Sequence, residues 1–403
     1  MNRTLYIPAI STGCLYDEMI TDKLIKEKSM RFFNKENSIF HYDKIMFSAG
    51  HNYKKPNLVK EILKIDLTKT LVMGDSGGYQ ITTDYLEYSD EIREKIFDWL
   101  EENTNYSPNL DIPPFISSSK GNRRKTFEEC LEMSFSNFQW FETHQSNKTK
   151  FMNVLQGRSI DQLITWYQKV KDFNFSGGWA IGSVSRNIFL TLYALIMFLE
   201  SGEFDRFNSK GKIFHIFGAT SYQIMRMLIY FQHKLNQLGY KCKISYDSSS
   251  PILSSAFGSY KTSIFKSSKL TITKQIDSID HLNLDIPLPC DCPVCEGLTW
   301  RHIYQEFNEK NQAFTTRFYS FLSLHNLYHF IKDKTELENI LFLNSKEIIR
   351  DIFPRNDIFI FTLIDKIFDL PKGKKLDELI KSGMVFNKFE EDTIKHDLKE
   401  IFE

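Results

Sequence analysis

The sequence has no apolar run long enough to cross a bilayer: the longest, Ile188 to Leu199, is interrupted by Thr191 and reads as a buried helix. The first ten residues, Met1 to Ile10, lack the apolar core of a secretory signal. Net charge is missing too, since 51 Lys plus Arg balance 51 Asp plus Glu, so any nucleic-acid partner has to be met by a local basic surface. Neither a G-x-G-x-x-G turn nor a Walker loop is present, which removes the commonest nucleotide-phosphate cradles. Cysteine is sparse: Cys14, Cys130 and Cys242 are scattered, and Cys290, Cys292 and Cys295 crowd together. That distribution excludes a disulfide framework and suits a metal site in a reducing compartment, with the cytoplasm (a host cytoplasm if the gene is phage-borne) as the expected location. Acidic residues vanish from Ser248 to Ile276, while Lys261, Lys266, Lys269 and Lys274 punctuate that Ser/Thr-rich and aromatic stretch.

What is present is ordinary globular material, with 42% hydrophobic and 25% charged residues and a core expected to be rich in the 35 phenylalanines. A chain of 403 residues can form one large barrel with additions or two average domains. Between residues 70 and 250, short apolar runs alternate with amphipathic ones. Strands are predicted at Leu71–Met73, Phe151–Leu155, Gly178–Gly182, Lys212–Phe217 and Lys241–Tyr246, with helices over Asp161–Phe173, from Asn187, and from Ser221 to Gly239. Polar and glycine residues then fall just past the strands, at Asp75, Gln156, Gly178, Gly218 and Asp247. In a (β/α)8 barrel such positions converge on one face, and in a doubly wound sheet they gather along one edge.

Two basic segments offer phosphate contacts: the stretch after Ser248, where hydroxyls, Lys and aromatics mix, and Lys120-Gly-Asn-Arg-Arg-Lys125. Each is also what a solvated loop looks like. Cys290, Cys292 and Cys295 supply three thiolates for one ion, and a fourth ligand can come from His325, His302 or His329. A closed site of that kind is structural and ties a loop to a helix.

Asp75-Ser76-Gly77-Gly78-Tyr79-Gln80 joins a carboxylate to glycines that let a planar ligand approach the backbone. It is followed in order by Gln156-Gly157, Gly177-Gly-Trp-Ala-Ile-Gly182, Tyr246-Asp247, the three cysteines and His325-Asn326-Leu327. Together these motifs, from about residue 70 to 330, resemble the queuine/archaeosine tRNA-guanine transglycosylase family. The resemblance implies a (β/α)8 TIM barrel over 1–280, a zinc-binding subdomain with the closing barrel helix over 281–335, and a C-terminal helical extension over 336–403. It implies Asp75 as general acid/base, Asp247 as nucleophile, and Asp111 with Gln156 as readers of the guanine edge. Ser76, Gly78, Gly178 and Trp179 are then expected at the base, with Tyr79 and Phe217 sandwiching it. Cys290, Cys292, Cys295 and His325 become the ligands of a structural Zn2+.

The family's bacterial tRNA enzymes usually carry Leu at Trp179, Glu at Ser183 and Pro-Thr-Arg where Ser248-Ser-Ser-Pro251 stands here. These departures resemble the DpdA-type DNA-guanine transglycosylases. They imply a pentosyltransferase that replaces guanine in DNA by a 7-deazaguanine, with the nitrile preQ0 fitting the loss of the glutamate. Action on tRNA, and a non-catalytic zinc-bearing nucleic-acid-binding protein, are the rival readings. Helper proteins that open the duplex and a homodimer are further expectations, and no membrane partner is expected.

Overall fold

A computed structural model describes residues 1–10, 31–35, 38–114, 125–184, 187–256, 259–261, 270–271, 284–308, 313–314 and 316–383. Cys14, Lys266, Lys269, Lys274 and most of the Lys120–Lys125 cluster lie outside them.

Eight parallel strands form one sheet: β1 (Leu5–Pro8), β2 (Lys44–Ser48), β3 (Leu71–Asp75), β4 (Tyr106–Pro108), β5 (Lys150–Leu155), β6 (Gly178–Ile181), β7 (Ile213–Ile216) and β8 (Lys243–Ser248). The hydrogen-bonded order runs β1-β8-β7-β6-β5-β4-β3-β2, and a parallel bridge between Ala9 and Met46 brings its two ends together. This is a (β/α)8 barrel, one of the two arrangements the alternating pattern allowed and the one the resemblance implied. Strands β1, β2 and β4 add to the five visible in the sequence; β4 is only three residues long, too short for alternation to show.

Six helices surround most of the sheet: α1 (Asp90–Asn103), α2 (Phe127–His144), α3 (Ile160–Val170), α4 (Ile188–Ser201), α5 (Tyr222–Gln237) and, beyond β8, the short α6 (Ser250–Ala256). The first five begin on Ser89, Thr126, Ser159, Asn187 and Ser221, and each of these side chains accepts a hydrogen bond from a first-turn backbone N–H. At Thr126 the cap is reciprocal, because Glu129 bonds back to its N–H. The apolar run of the sequence becomes α4, almost wholly buried between the sheet and its neighbours.

Helix α7 (Thr316–Leu343) closes the barrel. Its buried Glu338 accepts from the Thr4 backbone N–H at 2.8 Å and from the Thr4 hydroxyl at 2.6 Å, just before β1. Lys334 donates to the Thr4 carbonyl at 2.6 Å and pairs with Glu338 at 2.9 Å. The expected boundary at 335/336 thus falls inside one continuous helix, whose last turns hold the barrel's first strand. The helical extension follows as α8 (Lys346–Ile352) and α9 (Arg355–Asp369). It packs on α5: Phe361 stacks on Tyr230 with centroids 4.4 Å apart, and Arg226 pairs with the buried Asp357 at 2.7 Å. Among the described residues, no helix is long and apolar enough to cross a membrane.

Candidate active site and metal centre

A cleft of about 690 Å3 opens at the C-terminal ends of the strands, the face on which barrel enzymes build their sites. Asp75 and Asp247 line it, together with Gly78, Tyr79, Asp111, Gln156 and Phe217. Strand order places these groups. In a ring of eight, β3 and β7 stand opposite one another, as do β4 and β8. Tyr79 follows β3 and Phe217 follows β7, so these two aromatic residues line the cleft from opposite sides of the ring. Asp111 follows β4 and Asp247 lies near the end of β8, so two carboxylates do the same along the crossing direction.

Asp111 is almost fully buried and held by neighbours. Gln156 Nε2 donates to its Oδ2 at 2.5 Å, and the Ser76 hydroxyl donates to its Oδ1 at 3.4 Å. Ser183, at the end of β6, donates its hydroxyl to the other end of the Gln156 amide. Burial, with a smaller contribution from the Asp75 charge, raises the Asp111 carboxyl to about 7 against the lowering effect of the Gln156 hydrogen bond. Asp75 is also shifted upward, first by burial and then by Asp247, despite the Gly77 N–H that donates to its Oδ1 at 3.3 Å. A carboxyl poised above its ordinary range is suited to give and take a proton near neutrality.

Asp247 has a different environment. Its Oδ1 accepts from the Gly218 backbone N–H at 2.7 Å, and His215 Nε2 lies 3.4 Å from the same oxygen. His215 is fully buried on β7 and had no place in the expectations from sequence. A histidine inside an apolar strand gives no signal until the pairing of β7 with β8 puts it beside Ser245. Gln80, the last residue of the Asp75–Gln80 motif, also lines the cleft, and its Nε2 meets His51 Nε2 at 2.9 Å.

Gly78 is required by a close approach, since a Cβ there would sit 1.8 Å from the Asp111 carbonyl oxygen. Three expected base-contacting residues do not line the cleft. Ser76 is buried and supports Asp111 from behind. Gly178 and Trp179 open β6 rather than end it, and pair in register with β5 and β7. The Trp179 side chain turns outward among the helices, where its Nε1 donates to Glu203 at 2.8 Å and its ring lies 4.8 Å from Phe198. The backbone that reaches the cleft from this strand belongs to Gly182 and Ser183.

Cys290, Cys292, Cys295 and His325 come together, with their ligand atoms all within 4.8 Å of one another. His325 Nδ1 is 3.4 Å from Cys292 Sγ and 3.2 Å from Cys295 Sγ. Tetrahedral ligands on one ion at ordinary bond lengths stand roughly 3.5 Å apart, so this cluster can hold a metal ion. His325 Nε2 bonds the Lys261 carbonyl at 2.6 Å, which puts the proton on Nε2 and leaves Nδ1 its lone pair for a metal. The rival histidines have other tasks: His302 caps its own helix through Thr299, and His329 bonds Cys290 Sγ from outside at 3.1 Å.

The cluster also braces the segment that follows Asp247. Tyr260 stacks on His325 with centroids 3.9 Å apart, and its hydroxyl meets Cys295 Sγ at 3.1 Å. Asn326 accepts from the Lys261 N–H and donates to the carbonyls of Pro251 and Ser259. Ser249 and Leu253 of this segment form part of the cleft wall. Compared with protein-family models and with curated proteins, the sequence has no match.

Proposed function

We propose that this protein is a base-exchange glycosyltransferase of the guanine transglycosylase kind, acting on DNA, with Zn2+ as its structural metal. The observation that carries the reading is the crossed arrangement in the cleft. Tyr79 and Phe217 line the cleft from strands on opposite sides of the ring, and Asp111 and Asp247 line it from the pair that crosses them. A flat base lying between Tyr79 and Phe217 presents its hydrogen-bonding edge to Asp111 and its sugar bond toward Asp247.

In this mechanism Asp247 attacks C1′ and forms a C1′–O bond as the bond from C1′ to guanine breaks. The leaving base carries off the electron pair and takes a proton from Asp75. An incoming 7-deazaguanine, preQ0 in the simplest case, then loses a proton to Asp75 and displaces the aspartyl oxygen. One acid/base group serves both halves, which its upward shift supports. Asp111 and Gln156 hold the edge of each base in turn. The metal takes no part in these steps. Three thiolates and an imidazole leave no open position, and Zn2+ would stabilise the wall beyond Asp247.

DNA rather than tRNA is favoured by the departures in sequence around Ser183 and Ser248. The target base must leave its stack to reach Asp247 in the cleft, at a cost of about a few kcal/mol in a duplex. Purified protein given labelled guanine or preQ0 with duplex DNA, single-stranded DNA and tRNA tests the proposal. Label should enter DNA. Label in tRNA alone would replace the polymer, and label in no polymer would end the reading.

A further inference from the structure

We infer that His215 is a positioning residue for Asp247, and that Oδ2 of Asp247 is the oxygen that attacks the sugar. This rests on the base-exchange reading of the cleft. The two oxygens of the carboxylate are not equivalent. Oδ1 takes the Gly218 N–H at 2.7 Å and faces His215 Nε2 at 3.4 Å. Oδ2 has no protein hydrogen-bond donor among the described residues, and the Asp247 side chain borders the open cleft.

His215 is built into the barrel wall. Its Nδ1 meets the Ser245 hydroxyl at 2.8 Å, and its ring lies edge-on to Phe217 with centroids 4.5 Å apart. Its Nε2 is fully enclosed and has no hydrogen-bond partner of its own in the free protein. A buried N–H without an acceptor is costly, and a bare lone pair facing a carboxylate is worse. The arrangement that answers both has the Ser245 hydroxyl donating to Nδ1 and the proton on Nε2, 3.4 Å from Oδ1 and short of a hydrogen bond in the free protein. Catalytic hydrogen bonds are often long in an empty site and tighten in the complex.

The consequence is chemical. With the Gly218 N–H on Oδ1 and the His215 Nε2–H drawn to the same oxygen in the complex, the carboxylate is held against rotation, and Oδ2 keeps an unshared electron pair toward C1′. After attack, Oδ1 is the carbonyl oxygen of the glycosyl ester. When the incoming base displaces Asp247, the C1′–Oδ2 bond breaks and charge returns to a carboxylate already held by Gly218 N–H and His215 Nε2–H. The imidazole stabilises the leaving carboxylate without accepting or giving up a proton.

Two measurements test this. In exchange assays His215→Phe, which removes the donor, should lower kcat by roughly a hundredfold, with the KM for the incoming base little changed. His215→Gln, which restores an N–H at nearly the same reach, should recover most of the loss. Equal damage from both variants, or none from His215→Phe, would overturn the inference. Imidazole 15N–1H spectra of the free protein form the second arm and need no turnover. A slowly exchanging Nε2–H signal should be present in wild type, absent in His215→Phe and displaced in Asp247→Asn. A His215 that carries its proton on Nδ1 alone, or a signal indifferent to Asp247→Asn, would also overturn it. A wild-type protein that moves no base refutes the exchange reading, and the spectra then decide the His215–Asp247 contact by themselves.

Discussion

Gln156 and Asp111 are joined end to end inside the barrel mouth, the amide nitrogen of one donating to the carboxylate of the other at 2.5 Å. The amide is in turn oriented by Ser183, so the order Ser183, Gln156, Asp111 fixes which atoms face a ligand. Burial of a carboxyl with so few donors leaves it titrating near neutrality, and its ionisation is coupled to both binding and stability.

Asp111 at about 7 makes the first prediction one of pH. The folded state keeps a proton that the unfolded chain releases near its ordinary value, so this group removes stability as pH rises from about 4 to about 7. Above that window its penalty is constant. Asp111→Asn should therefore melt higher than wild type at pH 8, with a smaller gain at pH 5. The same variant should bind guanine poorly, because the ionised form is the acceptor that the base edge needs. Thermal melts at the two pH values, with a base-binding titration, check both parts.

Asp247→Ala should give a folded protein that forms no covalent adduct with the polymer and exchanges no base. Asp75→Asn should retain base binding yet lose exchange by about a hundredfold or more, the usual worth of a placed acid/base group. Denaturing electrophoresis of trapped complexes and label incorporation distinguish the two. A full-rate Asp247→Ala enzyme would remove the nucleophile assignment.

Gly78→Ala should disable the site although no side chain of the reaction is altered. The added carbon would meet the Asp111 carbonyl at 1.8 Å, so the turn that carries Asp111 must move. A displacement of about 1 Å in such a site costs on the order of a hundredfold in rate. Label incorporation should show this loss beside a fold that circular dichroism finds intact.

On the proposed reading, metal analysis should find about one zinc per chain, since four ligand atoms within 4.8 Å of one another suit a single ion. Cys292→Ser should lose most of it and melt lower, since the segment from Pro251 to Lys261 would be held by Asn326 without its neighbouring clamp. Unchanged melting after chelation to a metal-free state would remove the structural role.

Phe361→Ala should destabilise by about 3–5 kcal/mol, as buried aromatic truncations do. Phe361 stacks on Tyr230 of α5 and meets Phe353 edge-on, so the extension is bound to the barrel through this ring. Chemical denaturation measures the loss. A change below about 1 kcal/mol would mean that α9 contributes little to the barrel.

Five strands, three of the helices and the cysteine cluster were legible in the sequence because each rests on short-range physics, whereas barrel closure and the choice of His325 came from the resemblance. Five apolar runs at strand length, Asn187 and Ser221 opening helices, and three cysteines within six positions need no partner from elsewhere to be seen. The carboxylates Asp75 and Asp247 stood out for the same reason, as polar endings to apolar strands. What tertiary structure alone decided was which atoms face one another. Only the closure of eight strands sets Tyr79 opposite Phe217 and Asp111 opposite Asp247. The same register turns Trp179 outward, hands its expected place to Gly182 and Ser183, and brings His215 to Asp247. These relations join residues dozens of positions apart, and a one-residue slip in pairing would reverse the facing of Trp179 and of His215.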